Sequence, residues 1–338
     1  MNFRSDNTAA AAAEILAALA AANDPHAPAY GEDQWSKQLD VKFGELFEHE
    51  VRVFTVATGT AANAIALASL TPPWGKVFCH REAHIERDEC GAPEFFSGGA
   101  KLALIDGPHA KISADGLREA LARSAADIHA PKPAAVSISQ TTERGGAYAP
   151  GDIAALAEVA RDKGLALHMD GARFANAVAA LGCSPADISW RAGVDILSFG
   201  ATKNGALAAE AIVVFDPARA DEIARRRKRG GHLFSKGRYA AAQLLAYVDN
   251  GLWLSLAGRA NGLAARLAEA ADPWLSQPVQ TNQLFLKPGA ERIAKLRAAG
   301  VGFYDWGGRE CEEIRLVVSW NQADAEVDAL AQLLRALR

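Results

Sequence analysis

Between about residue 50 and residue 215 the chain repeats one pattern: a short β-rich apolar run, a helical stretch, then another run. Strand candidates fall at 51–56, 76–79, 102–105, 135–139, 165–169, 196–198 and 211–215. Helical patterns between them include 59–70, 114–122 and 152–163. Such alternation marks βαβ units, in which strands run parallel and crossover helices cover both faces of the sheet. Open sheets of this type bind ligands beyond the carboxyl ends of their strands. The side chains just past each run are therefore the ones to inspect.

The flanks differ. Residues 1–7 read as an extended arm, and 8–22 as an alanine-rich helix ending near Asn23-Asp24-Pro25. Alanine is the best helix former, which explains that run without any functional role. Residues 235–267 read as one or two long helices. After residue 280 come β-rich runs at 283–286 and 314–318 and helices at 290–299 and 324–337, with no new alternating array. The expectation is an α/β fold with a mainly parallel central sheet. Residues 1–24 form an arm and helix, 25–240 a large ligand-binding domain and 241–338 a smaller α/β domain, a division that suits 338 residues.

Composition narrows the partners. A net charge of −4 argues against nucleic acid, which calls for a basic face. Cys79, Cys90, Cys183 and Cys311 are scattered without a CxxC pair, so neither a disulfide framework nor a zinc pattern is present and a reducing compartment is favoured. The opening Met-Asn-Phe-Arg-Ser-Asp lacks the layout of a signal peptide, and no apolar run nears the roughly 20 residues of a membrane span. A cytoplasmic protein with no membrane partner is expected.

Three places carry chemistry. Lys203 follows the strand candidate 196–198 on a loop of small residues, Gly200-Ala201-Thr202. It is either an ordinary surface lysine or, in a desolvated pocket, an amine able to form a Schiff base with an aldehyde. Asp170 stands at the exit of the run 165–169, and a buried carboxylate there needs a cationic partner. That partner is a protonated pyridine nitrogen, or simply Arg173; a helix N-cap is the third reading. Ala57-Thr58-Gly59-Thr60-Ala61-Ala62-Asn63 opens a helix directly after a strand, which makes an anion site of free backbone N–H groups. It is neither GxxxxGK[ST] nor GxGxxG, so a single phosphate fits better than a nucleotide.

A phosphate cradle, then an aspartate, then a lysine one strand on is the order found in fold-type I pyridoxal-phosphate (PLP) enzymes. The chain resembles their threonine aldolase / β-eliminating lyase family over nearly its whole length. The likeness lies in Phe3-Arg4-Ser5-Asp6-Asn7, Tyr30-Gly31-Glu32-Asp33, Thr58-Gly59-Thr60-Ala61-Ala62-Asn63 and Glu82-Ala83-His84-Ile85. It continues through His168-Met169-Asp170-Gly171-Ala172-Arg173, Ser198-Phe199-Gly200-Ala201-Thr202-Lys203-Asn204, the basic run ending at Arg229-Gly230-Gly231-His232, and Ile314-Arg315-Leu316-Val317.

The resemblance implies cleavage of β-hydroxy-α-amino acids to glycine and an aldehyde, with PLP as cofactor. By similarity Lys203 carries the cofactor as a Schiff base and Asp170 pairs with its ring nitrogen. Thr58, Gly59 and Thr60 hold the phosphate, joined by Arg229 from a neighbouring subunit in a homo-oligomer, a dimer or tetramer. His84 stacks on the ring. His129 matches a second active-site histidine, and either is a candidate base. Ser5, Tyr30, Arg173 and Arg315 fall to the substrate, where an arginine fork suits a carboxylate, and Arg173 also borders the cofactor. His168 reads better as a core histidine. The rivals are a PLP lyase eliminating a β-substituent, a non-catalytic PLP binder, a nicotinamide dehydrogenase lacking its glycine fingerprint, and a metal hydrolase. For the last, His80-Arg81-Glu82-Ala83-His84 puts its glutamate one place off HExxH, and no metal is expected.

Overall fold

The computed structural model describes residues 1–124 and 127–338, with Arg309 described only in its backbone. All seven strand candidates of the array form one sheet: β1 (Arg52–Val56), β2 (Gly75–His80), β3 (Lys101–Ile105), β4 (Lys132–Ser139), β5 (Ala166–Gly171), β6 (Ile196–Gly200) and β7 (Glu210–Val214). Their order is β1-β7-β6-β5-β4-β2-β3. The pairs β3–β2, β2–β4, β4–β5 and β5–β6 are parallel, while β7 runs antiparallel to both β6 and β1. The carboxyl ends of β1, β4, β5 and β6 therefore share one edge of the sheet.

Both faces of this sheet are covered, which is why its strands read as near-continuous apolar runs. In β6 all five residues are buried. Phe199 packs edge-on against Phe43 and Tyr247 and lies 5.9 Å from Trp253, centroid to centroid. Ile196, on the other face, joins a second cluster with Ile65, Val77 and Ile212. Aromatic pairs of this kind contribute about 0.5–1.5 kcal/mol each beyond area burial. They fix the strand that leads into Lys203.

A second, antiparallel sheet has the order β8-β10-β9, from β8 (Gln283–Leu286), β9 (Tyr304–Trp306) and β10 (Glu313–Val317). The long helical region is two helices, Arg238–Val248 and Leu252–Ala271, broken where Asn250 and Gly251 adopt positive φ. The second helix serves both cores. Trp253 and Leu256 pack under the large sheet, whereas Leu263 and Leu267 join the core of the small one, with Leu284 and Leu316 from its strands and Leu330 from the helix Asp324–Ala336. No helix among the described residues is long and apolar enough to cross a membrane.

The expected helix over 8–22 is shorter, Ala13–Ala21. The residues ahead of it are committed elsewhere. Phe3 exchanges backbone hydrogen bonds with Gly302 and Val317 and is fully buried in the second core, and the Ala12 N–H donates to Gly205 O at 2.8 Å. The arm thus runs from the small sheet to the turn that carries Lys203.

Candidate active site

The cleft lies at the shared carboxyl edge and encloses about 640 Å³. Its walls include Ser5, Thr58, Gly59, Thr60, His84, Asp170, Arg173, Lys203 and Arg315, nine of the residues singled out in the sequence.

Lys203 sits in the turn Thr202–Asn204. Its neighbours hold that turn from both sides: Asn204 Nδ2 donates to the Tyr247 hydroxyl (2.7 Å) and to Trp253 O (2.8 Å), and Thr202 Oγ1 accepts from the Ala209 N–H (3.2 Å). Gly200 is needed just before it, because a Cβ there would lie 2.7 Å from the Ala172 backbone. Burial, then the nearby Arg173 guanidinium, lower the Lys203 pKa below the usual lysine value. A lysine so placed is an amine poised to attack a carbonyl.

Asp170 leaves β5 with Oδ2 accepting from Asn63 Nδ2 (2.9 Å) and Oδ1 from the Ala172 N–H (3.0 Å). Burial raises its pKa, but His84, Lys203 and these hydrogen bonds together lower it below the ordinary value. Arg173 is not its partner. Thr58 caps the helix Gly59–Leu70 through its side chain, which accepts from the Ala61 N–H at 3.1 Å. The N–H groups of the first turn lack intrahelical partners. A Cβ added at Gly59 would meet nothing within 4 Å, so open space lies over this anion-ready end.

His84 heads the short helix His84–Arg87, and its side chain is 37% exposed. Its Nδ1 lies 2.8 Å from Glu89 Oε1, and its backbone N–H donates to Glu143 Oε1 at 2.8 Å. The Glu89 bond raises the His84 pKa against the opposing effect of burial. Asn63 donates its two amide hydrogens to Glu89 Oε1 (2.8 Å) and Asp170 Oδ2, so His84, Glu89 and Asp170 present polar atoms within 4.8 Å of one another.

Arg173 is already clasped: Nε and Nη2 donate to the two Asp6 oxygens at 2.7 and 2.8 Å. Asp6 is buried and also accepts from Asn282 Nδ2 at 3.0 Å. Arg315, on β10, stands over Trp306 with its guanidinium 4.9 Å from the ring centroid, and its buried Nε has no hydrogen-bond partner. Burial and then Arg173 push its pKa down to about 10.

The chain's own cleft does not include three of the sequence candidates. His129 is exposed, immediately before β4, whereas Ser139 at the far end of β4 lines the cleft. At roughly 3.3 Å per residue, the length of that strand keeps the imidazole about 20 Å away. Arg229 is exposed at the end of the helix Ala220–Arg229, and Tyr30 is exposed under Lys228 Nζ, 4.9 Å from its ring. Within the same basic run it is Arg227 that is anchored: it donates to Thr55 O and Thr55 Oγ1, both at 2.7 Å.

Sequence reasoning passed over Asp6, Asn63, Glu89, Glu143 and Glu210. Asp6 and Asn63 lay inside quoted motifs without a role, and Glu89 follows His84 by five residues. His168 is a core histidine, bridging Ser137 Oγ (2.9 Å) and Ser198 Oγ (3.0 Å). His80 is also structural, with both ring nitrogens engaged by backbone groups of Gly107 and Glu82.

The low specificity L-threonine aldolase of Pseudomonas aeruginosa is 43% identical over 340 residues, 99% of this chain and 96% of that protein. A threonine aldolase of Leishmania major superposes with a TM-score of 0.93 at 27% identity, covering 99% of both chains. An N-succinyldiaminopimelate aminotransferase from Mycobacterium tuberculosis shares the fold alone, with a TM-score of 0.69 at 15% identity over 100% of this chain and 93% of that one. The fold is thus the expected fold-type I architecture. A family model described as β-eliminating lyase matches residues 2–289, and on that match and the near full-length likeness the chain belongs to the β-eliminating lyase family.

Proposed function

We propose that the protein is a PLP-dependent aldehyde-lyase that splits L-threonine, L-allo-threonine and related β-hydroxy-α-amino acids into glycine and an aldehyde. The observation that carries this reading is the placing of Lys203, Asp170 and His84 in one cleft, with an open helix N-terminus at Gly59 and Arg315 in its wall. The donor set fits the cofactor. Lys203 is the amine for its aldehyde, Asp170 the carboxylate for its ring nitrogen, and Thr58, Gly59 and Thr60 the N–H and hydroxyl donors for its phosphate. When bound, PLP supplies the electron sink for the pair released from a bond to Cα.

The chain's own residues do the rest. Arg315 and Ser5 orient the substrate carboxylate, with the unclasped edge of Arg173 beside them. His84 Nε2 takes the β-hydroxyl proton. As the O–H bond breaks, the oxygen pair forms the aldehyde C=O, the Cα–Cβ bond breaks, and a proton returned to Cα completes glycine. His84, Lys203, Asn63 and the Ala172 N–H lower the Asp170 pKa against the opposing effect of burial, which favours the carboxylate form that a protonated ring nitrogen calls for. The exposure of Arg229 outside its own cleft supports a site completed by a second copy of the chain, as the family resemblance implies.

The test is spectroscopic and then chemical. Purified protein given PLP should develop the visible band of a lysine-bound cofactor, and Lys203→Ala should not. Threonine should then yield acetaldehyde and glycine in equal amounts. Ammonia and a keto acid in their place would make the protein an eliminating lyase.

A further inference from the structure

Glu89 is fully buried at its side chain, yet its Oε2 has no hydrogen-bond partner. Asn63 beside it likewise leaves Oδ1 buried and unpartnered. Orphaned buried oxygens are rare and costly, and a carboxylate is the most costly of them. Packing would be served better by an apolar residue. The oxygen that does have partners, Oε1, faces His84 Nδ1 and receives Asn63 Nδ2, both at 2.8 Å.

We propose that Glu89 is a positioning residue: it holds His84 with Nδ1 protonated, so that Nε2 presents its lone pair to the substrate hydroxyl, and Asn63 ties this pair to Asp170. The inference rests on the retro-aldol reading above. It follows from the two ends of the imidazole. Nδ1 is spoken for by a carboxylate, and the side chain lines the cleft and is partly exposed, which leaves Nε2 as the nitrogen available to a ligand. A carboxylate behind a histidine stabilises the imidazolium that forms when Nε2 takes a proton, without itself accepting that proton. The Asn63 amide donates to both carboxylates, which lets Glu89 and Asp170 stand close together without one displacing the other. Glu143 fixes the backbone of the same residue.

Among the described residues, the charged groups that act on the imidazole are Glu89 beyond its own short helix, Asp170 from β5 and Lys203 from the turn after β6, while Glu143 from the loop after β4 meets the His84 backbone N–H. Of these, Glu89 has the largest influence on His84 and it raises the pKa, as a hydrogen-bonded partner should. Burial opposes this by raising the pKa of Glu89 itself. The net effect of the contact is to stabilise the His84 imidazolium.

The experiment is Glu89→Gln in the holoenzyme. The amide keeps the shape and one acceptor oxygen for His84 and Asn63, while an NH2 group takes the place of Oε2 and the negative charge is lost. His84 titration, followed by NMR of labelled histidine, should drop by one unit or more. With threonine, kcat should fall at least tenfold while KM stays within threefold, and the acidic limb of the kcat profile should move down with the His84 midpoint. In a His84→Asn background the same Glu89→Gln change should cost less than twofold. An unmoved His84 titration, or an undiminished Glu89→Gln penalty without the imidazole, would overturn the proposal. Should the wild type not cleave threonine, the reading of the reaction fails, while the NMR titration still judges the Glu89–His84 contact by itself.

Discussion

Arg173 grips Asp6 across 167 residues of sequence, through two parallel hydrogen bonds of 2.7 and 2.8 Å. Burial raises the Asp6 pKa, but Arg173, with Lys203 and Asn282 nearby, holds it below the ordinary value. The pair joins the arm to the end of β5, while Asn282 joins the arm to the small sheet. An Asp6→Asn variant keeps the shape but leaves the buried guanidinium without its counter-charge, which should cost on the order of 3 kcal/mol. Urea unfolding of the cofactor-free protein measures it. A loss under about 1 kcal/mol would show that the clasp does not fasten the arm.

With Arg173 engaged, Arg315 is the arginine best placed for a substrate carboxylate. Arg315→Ala should raise KM for threonine roughly 10- to 100-fold, the range for losing a charge-assisted hydrogen bond. The absorbance of the lysine-bound cofactor should be unchanged. Arg315→Lys should recover only part of the loss, since an ammonium cannot make the paired hydrogen bonds of the fork. An unchanged KM in the alanine variant would move the carboxylate elsewhere in the cleft.

The seven runs of the large sheet were legible because both faces of that sheet are buried, so each strand announces itself as an apolar segment between helices. The antiparallel course of β7 was not, since apolar patterning is blind to strand direction. β9 escaped notice because it has three residues, Tyr304–Trp306, with Tyr304 exposed. At the site, side chains on loops next to strand ends were readable: Lys203, Asp170 and the Thr58–Thr60 turn. What could not be read was which partner each charge takes. Arg173 looked as ready for Asp170 or a ligand as for Asp6, and only the path of the arm decides it. Glu143 and Glu210 gave no signal, because a buried carboxyl in sequence looks like any surface glutamate.

Those two carboxyls give the cofactor-free protein a specific pH response. Burial, and then the charge of Asp170, push Glu143 up to about 7; burial pushes Glu210 up to about 7 against the pull of Thr202 and Lys203. The ordinary value in these terms is 4.5. A carboxyl with a raised pKa in the fold binds protons more tightly there than in the unfolded chain. The contribution of these two groups to stability is therefore greatest below about 4.5 and declines as pH rises to about 7, by at most about 3 kcal/mol per group. Glu143→Gln should lessen that decline. Denaturant unfolding at pH 5 and pH 8 would reveal it as a variant that gains on the wild type at the higher pH. No change in their difference would mean that Glu143 is ionised in the fold without cost.

His168 makes the opposite case at the centre of the sheet. Burial pushes its pKa down to about 4 from 6.5, with Asp170 opposing only in part, and both ring nitrogens are held by Ser137 and Ser198. The unfolded chain takes up a proton at this residue before the folded one does, so stability is lost as pH falls from 6.5 through 4. The loss reaches about 3 kcal/mol when complete. His168→Leu removes that sensitivity but strands two buried hydroxyls, each costing about 1–3 kcal/mol at neutral pH. The variant should therefore trail the wild type clearly at pH 7 and close much of the gap near pH 4.5. Unfolding curves at the two pH values decide the matter. A gap that stays constant would mean that the fold accommodates a charged ring between β4 and β6, against the neutral imidazole argued here.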